Sequence, residues 1–177
     1  MSLIVQKYGG TSVANPESLK IVAKKIISAK KDDKQVVVVV SAMGSSTDEL
    51  IALASQLSES PSPREMDMLL SAGERITMSL LAMHLNSLGY DSFSLTGSQA
   101  GILTTSRHGR AEIEKISGER VKEGLEKGNI VIVAGFQGFN PDTREITTLG
   151  RGGSDATAVA LAASLGAEKC EIYTDVE

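Results

Sequence analysis

Leu3-Ile4-Val5-Gln6-Lys7-Tyr8-Gly9-Gly10-Thr11-Ser12 runs a short apolar strand straight into a lysine, two glycines and two hydroxyls. Adjacent glycines let backbone N–H groups crowd against an anion, and a lysine adds a full positive charge beside them. The stretch reads either as a phosphate cradle or as a tight strand-to-helix turn with an incidental lysine. It has neither the G-x-x-x-x-G-K-[ST] order of a P-loop nor the G-x-G-x-x-G of a dinucleotide fold.

Outward from this stretch, apolar strands alternate with helical patterns, which predicts an α/β fold with a mainly parallel sheet covered by helices. Asn15-Pro16-Glu17 supplies an N-cap and a first-turn proline, opening a helix with Ile21, Val22, Ile26 and Ile27 as its apolar face. Val36 to Ser41 is an unbroken β-branched run, as expected of a strand buried on both faces. The loop Ala42 to Ser46 leads to a helix from Thr47 to Leu57, and the linker-like Ser58 to Pro63 to a long helix over Arg64 to Asn86. Ser62-Pro63-Arg64-Glu65 has the spacing of a capping box for that helix. Further strands are expected at Ser92–Thr96, Glu112–Ile116, Ile130–Ala134 and Glu171–Thr174, and helices at Gly118–Lys127 and Ser154–Leu165. Gly97 to Gly109 reads as a polar loop or flap, Gly135 to Gly138 as a strand-end loop, and Phe139 to Leu149 as a β-hairpin. Lys7, Ser41 and Phe136 all fall at carboxyl ends of strands, where open α/β sheets bind ligands.

Composition narrows the function. The chain has 177 residues, 41% of them apolar, enough for one domain with a sizeable core. A net charge of −4, 3% aromatics and no Trp argue against a nucleic-acid partner. Val36 to Val40 is the longest β-branched aliphatic run, far short of a membrane span, and the opening strand does not resemble a cleavable leader. The single cysteine, Cys170, excludes an intrachain disulfide and is expected to pack in or near the last strand, so a cytoplasmic location is expected. His84 and His108 have no Cys or carboxylate spacing for zinc, and no metal site is expected from protein residues alone. Met66, Met68, Met78 and Met83 are expected in the core.

Gly150-Arg151-Gly152-Gly153-Ser154-Asp155, followed by an Ala-rich helix, sets a glycine loop at a helix N-terminus, an arrangement that attracts anions. Ser154 or Asp155 is alternatively the N-cap. Arg151 between glycines suits a carboxylate or phosphate. Glu74, in Ala72-Gly73-Glu74-Arg75, either faces a site or pairs with a neighbouring Arg at the surface.

Together these segments resemble the aspartate kinase family of the amino-acid kinase fold. The matching motifs are Lys7 to Ser12, Ser41-Ala42-Met43-Gly44 with Thr47, Gly73-Glu74, Gly135 to Gly138, Thr148 to Asp155, and Tyr173-Thr174-Asp175-Val176, in that order along the whole chain. The resemblance implies a three-layer αβα sandwich and phosphorylation of the β-carboxylate of L-aspartate by ATP with Mg²⁺, the opening step towards lysine, threonine and methionine. It implies that Lys7 stabilises the transferring phosphoryl group and Asp155 organises the catalytic lysines. Tyr8, Gly9, Gly10, Ser41, Gly44, Thr174 and Asp175 would meet ATP or its phosphates. Thr47, Glu74, Phe136, Arg151, Gly152, Gly153 and Ser154 would meet aspartate, Arg151 taking the α-carboxylate and Glu74 the α-ammonium. The complete enzyme is expected to be oligomeric.

The family continues beyond this point with more nucleotide-binding sequence and then regulatory domains. Residues 1–177 are therefore expected to be the amino-terminal part of the catalytic domain, a truncated form of the fold without turnover of its own. The rival readings are an inert or aspartate-binding remnant and a related acid kinase acting on acetylglutamate or carbamate; Glu74 and Arg151 argue against the latter.

Overall fold

The computed structural model describes residues 1–150 and 152–174. Its elements run β1 (Leu3–Tyr8), α1 (Pro16–Lys31), β2 (Gln35–Val40), α2 (Ser46–Leu57), α3 (Pro63–Ser87), β3 (Ser92–Leu95), β4 (Ile102–Thr104), β5 (Ile113–Ile116), α4 (Glu119–Glu126), β6 (Ile130–Ala134), β7 (Gln137–Asn140), β8 (Glu145–Thr148), α5 (Gly153–Leu165) and β9 (Lys169–Tyr173). The expected alternation holds, with boundaries displaced by a residue or two.

A five-stranded sheet in the order β3-β6-β2-β1-β9 forms the centre, and its strands pair in parallel. Side chains alternate between the faces of a strand, so a strand buried on both sides needs apolar residues throughout. In β2, Val36, Val38 and Val40 enter one core with Leu19, Val22 and Ile26 of α1 and Leu81 and Leu85 of α3. Val37 and Val39 enter another with Val121 and Leu125 of α4 and Ala158 and Leu161 of α5. Helices on both faces make the three-layer sandwich.

The second sheet, in the order β5-β4-β7-β8, corrects the expectation of a lone hairpin beside a flap. β7 and β8 pair antiparallel as the hairpin, with Asn140 Oδ1 accepting the Thr143 amide at 2.9 Å in the turn. β4 arises inside the segment expected to be a loop. Three residues are too few to reveal a period of two, yet Ile102 is fully buried in the core shared with α4 and α5.

Other local expectations fail for identifiable reasons. Ser62 makes no side-chain cap bond; Pro63, with its fixed φ, starts α3, and Glu65 pairs with Arg64 instead of reaching back. In α1 the buried face is Leu19, Val22, Ala23 and Ile26, while Ile21 lies on the solvent side. Met78 is core, whereas Met68 and Met83 are exposed, because their helical positions turn them from both layers. Cys170 lies in β9 against the second core, as expected. Among the described residues, no helix is long and apolar enough to cross a membrane.

Candidate active site

Alternation along β1 decides where Lys7 points. Leu3 and Val5 face the core beneath α5, whereas Ile4 and Tyr8 face that of α1 and α3. Lys7 has the parity of Val5, and its Nζ reaches Asp155 Oδ1 in the first turn of α5 at 2.9 Å. Lys7 is 8% exposed, so its charge is held at the strand's end in one place.

The same parity removes the Tyr8 side chain from the cradle. Its ring is fully buried on the opposite face and stacks on Tyr173 at 4.8 Å, with the rings 5° from parallel. Burial, then the charges near Tyr173 and Glu171, push its hydroxyl pKa far upward. Gly9 and Gly10 do form a close turn. A Cβ on Gly10 would stand 3.1 Å from the carbonyl oxygens of both Ala42 and Gly44, and one on Gly9 3.3 Å from Lys7 Nζ. Gly10 O accepts the Gly44 amide at 2.9 Å, tying the β1 and β2 loops together.

A cleft of about 520 Å³ opens above these strand ends. It gathers Lys7, Gly10, Ser41, Gly44, Thr47, Glu74, Phe136, Gly152, Gly153, Ser154 and Asp155 from five separate segments. Ser41 and Ser154 share a hydrogen bond between their hydroxyls at 3.1 Å. Phe136 has a left-handed φ of 71°, uncommon for a bulky residue. Its amide donates to Thr157 Oγ1 at 3.2 Å, and that hydroxyl donates to Gly153 O at 2.9 Å. Neither Ser154 nor Asp155 is the N-cap: Gly152 holds that position with φ 74°, leaving both side chains for the cleft. Thr174 is exposed after β9 and does not line the cleft; Arg151 and Asp175 fall outside the described residues.

Glu74 resolves in favour of the cleft. It is 3% exposed, on the face of α3 that meets the β2 loop, where a Cβ on Gly73 would lie 2.8 Å from Ala42 Cβ. Loss of hydration raises its pKa from 4.5 to about 7, with the amides of Glu74 and Ala42 pulling it back only in part. Among the described residues its Oε2 is buried without a hydrogen-bond partner. An acceptor in this state suits a cationic donor arriving from the cleft.

The chemistry-bearing residue that motif reading misses is Asp67, two helical turns before Glu74. Its buried carboxylate accepts the Thr148 hydroxyl at 2.6 Å, the Thr148 amide at 3.0 Å and the Gly109 amide at 3.1 Å, and meets His108 Nδ1 at 2.7 Å. A lone acid within Met66-Asp67-Met68-Leu69-Leu70 was the available signal.

The parallel sheet, its strand-end cleft and the lysine–aspartate pair define a class: the chain belongs to the Amino acid kinase family, matched over residues 2–177. Within that class it is similar to aspartokinases. It is 61% identical over 176 residues to aspartokinase 2 of Bacillus subtilis, covering 99% of this chain and 43% of that protein. Among solved structures, aspartate kinase from Synechocystis superposes with a TM-score of 0.85 at 50% identity, over 99% of this chain and 29% of that one. E. coli aspartokinase III in complex with aspartate and ADP gives 0.87 at 26% identity, over 98% of this chain and 49% of that one. The chain spans about two-fifths of the length of the curated relatives it matches.

Proposed function

We propose that residues 1–177 are the amino-terminal part of an aspartate kinase catalytic domain, carrying the amino-acid and phosphoryl site of an enzyme that converts L-aspartate to 4-phospho-L-aspartate. The observation that carries this reading is a single cleft with the Lys7–Asp155 ion pair and a buried Glu74 oxygen, unpartnered among the described residues, both in its lining. A plain dicarboxylate has no group for Glu74; an amino acid has its ammonium.

A β-carboxylate with a pKa near 3.9 is already ionised at neutral pH, so the acceptor needs no general base. The obstacle is repulsion between two anions, and the residues present fit that task. Lys7 is a positive charge held beside the glycine turn, and Asp155 fixes its position instead of abstracting a proton. ATP with Mg²⁺, when bound, supplies the phosphoryl group. Among the described residues no cluster of His, Cys, Asp or Glu suits a metal ion, so Mg²⁺ would be held chiefly through the nucleotide's phosphates. The amides near Gly9 and Gly10 are the local donors for those phosphates, with Ser41 and Gly44 beside them. Thr174 and Asp175 would serve the nucleotide from the end of β9.

Glu74 would hold the α-ammonium and Arg151 the α-carboxylate, while Thr47, Phe136, Gly152, Gly153 and Ser154 shape the rest of the amino-acid pocket. The assay is aspartyl hydroxamate formation with ATP and Mg²⁺ by the full-length chain and by residues 1–177. Turnover is expected from the first alone. Lys7→Ala in the full-length chain should abolish turnover, the loss of one preorganised donor being worth about 3–4 kcal/mol, while leaving aspartate binding nearly intact. Unchanged turnover in that variant refutes the role given to Lys7.

A further inference from the structure

Helix α3 carries more than Glu74 on its inner side. Asp67, Ser71 and Glu74 are spaced four and three residues apart, which aligns them along one face over about 10 Å. Each does something different. Ser71 O accepts the Gln137 side-chain amide at 2.9 Å, holding the start of β7. Asp67 gathers the end of β8 through Thr148 and the 105–110 loop through Gly109 and His108.

The position of these partners gives the carboxylate its significance. Thr148 is the last residue of β8, and Leu149, Gly150, Gly152 and Gly153 follow it into the cleft lining, as does Gly109 from the other side. The Leu149 amide donates to Phe136 O at 2.8 Å, and the Ala111 amide to Thr148 O at 3.1 Å. Asp67, only 1% exposed, thus pins both segments that frame this rim of the cleft. It does not itself line the cleft. A carboxylate oxygen only accepts, so Nδ1 is the nitrogen of His108 that bears hydrogen here, and the imidazole acts as a strap over the loop.

We infer that Asp67 is a positioning residue: through Thr148 and Gly109 it fixes the origin of the glycine segment that receives the amino-acid substrate, an inference that rests on the kinase reading above. A buried carboxylate with this many donors is exchanged at a cost, because any replacement leaves some donors unpaired. Asn in its place keeps the shape but turns one acceptor into a donor facing N–H and O–H groups.

The test uses Asp67→Asn, Thr148→Val and Thr148→Ser in the full-length chain, with a core variant, Leu161→Ala, as a control for general destabilisation. Asp67→Asn and Thr148→Val should raise KM for aspartate about tenfold or more and leave KM for ATP within about twofold, while Thr148→Ser restores the wild-type values. Amide exchange should quicken at least about tenfold at 149–154 in Asp67→Asn, with the central sheet unchanged. Wild-type KM values for aspartate in both Asp67→Asn and Thr148→Val overturn the inference. So does an equal rise of both KM values matched by Leu161→Ala at the same loss of Tm. If Asp67→Asn fails to fold, Thr148→Val and its Ser rescue decide alone. A wild-type chain that gives no aspartate-dependent turnover refutes the kinase reading instead.

Discussion

Binding of aspartate should expel a proton from Glu74. The carboxyl sits at a pKa of about 7 because burial strips its hydration. Around it are the amides of Glu74 and Ala42, and across the cleft Lys7 and Asp155 are paired to each other. An ammonium placed against the orphaned Oε2 favours the charged form and pulls the pKa down, so the bound state holds Glu74 ionised. If that bound pKa falls well below 6, uptake of aspartate releases roughly 0.9 proton at pH 6, about 0.5 at pH 7 and about 0.1 at pH 8. Linkage then makes Kd about tenfold weaker at pH 6 than at pH 8. Titration calorimetry of the full-length chain in two buffers of different ionisation enthalpy reads the released proton directly. The Glu74→Gln variant should release none and bind with a flat pH profile. Proton release near zero at pH 6, or the same release from Glu74→Gln, refutes the assignment of Glu74 to the ammonium. The sign for stability is opposite. A folded-state pKa raised from 4.5 to about 7 means the ligand-free site is least penalised below pH 4.5 and loses stability as pH rises through 7. The full change corresponds to about 3 kcal/mol.

Gly153→Ala should disturb the cleft without touching a charge: the new Cβ would lie 2.8 Å from Phe136 Cδ2 and 3.0 Å from Leu149 Cβ. A stability loss of about 1–3 kcal/mol by denaturant unfolding, with weakened aspartate binding, is expected. Ser41→Ala removes the 3.1 Å bond to Ser154 and should cost about 0.5–1.5 kcal/mol; an unchanged unfolding midpoint counts against that bond. Arg144→Gly should be neutral or stabilising by up to about 1 kcal/mol, since Arg144 holds φ 59° in the hairpin turn, and a lowered Tm contradicts this.

The central sheet was readable because burial on both faces leaves a run of apolar residues that no surface strand tolerates. Val36 to Val40 is the clearest case: five valines, divided three and two between two cores. The glycine turns were readable for a related reason, since close approach demands the missing side chain; the space at Gly10 is filled by two carbonyl oxygens. The second sheet was not readable. Its strand Ile102–Thr104 is too short for a pattern, and it forms between β5, antiparallel, and β7, parallel, partners that its own three residues do not encode.

Tyr8 and Asp67 depart from the motif in opposite directions, and for one cause. Tyr8 stands next to Lys7 in the motif, yet neighbours along a strand face opposite ways, so its ring stacks on Tyr173. Asp67 stands far from every motif, yet the seven-residue spacing to Glu74 returns to the same helical face, and the end of β8 is bound to it. Motifs group residues by distance along the chain; cleft and scaffold are grouped by the periods of 2 and 3.6. Applied to α3, the longer period puts Glu74 in the lining of the cleft and Asp67 against the segments that frame it. A single helix then sets the distance between Glu74 in the cleft and the rim that Asp67 holds. Tilting α3 should therefore shift aspartate affinity before it shifts the fold. Gly73→Ala, whose Cβ would press on Ala42 Cβ at 2.8 Å, is the variant that tilts it. Unchanged aspartate affinity in that variant would mean that the placement of α3 does not govern the aspartate site.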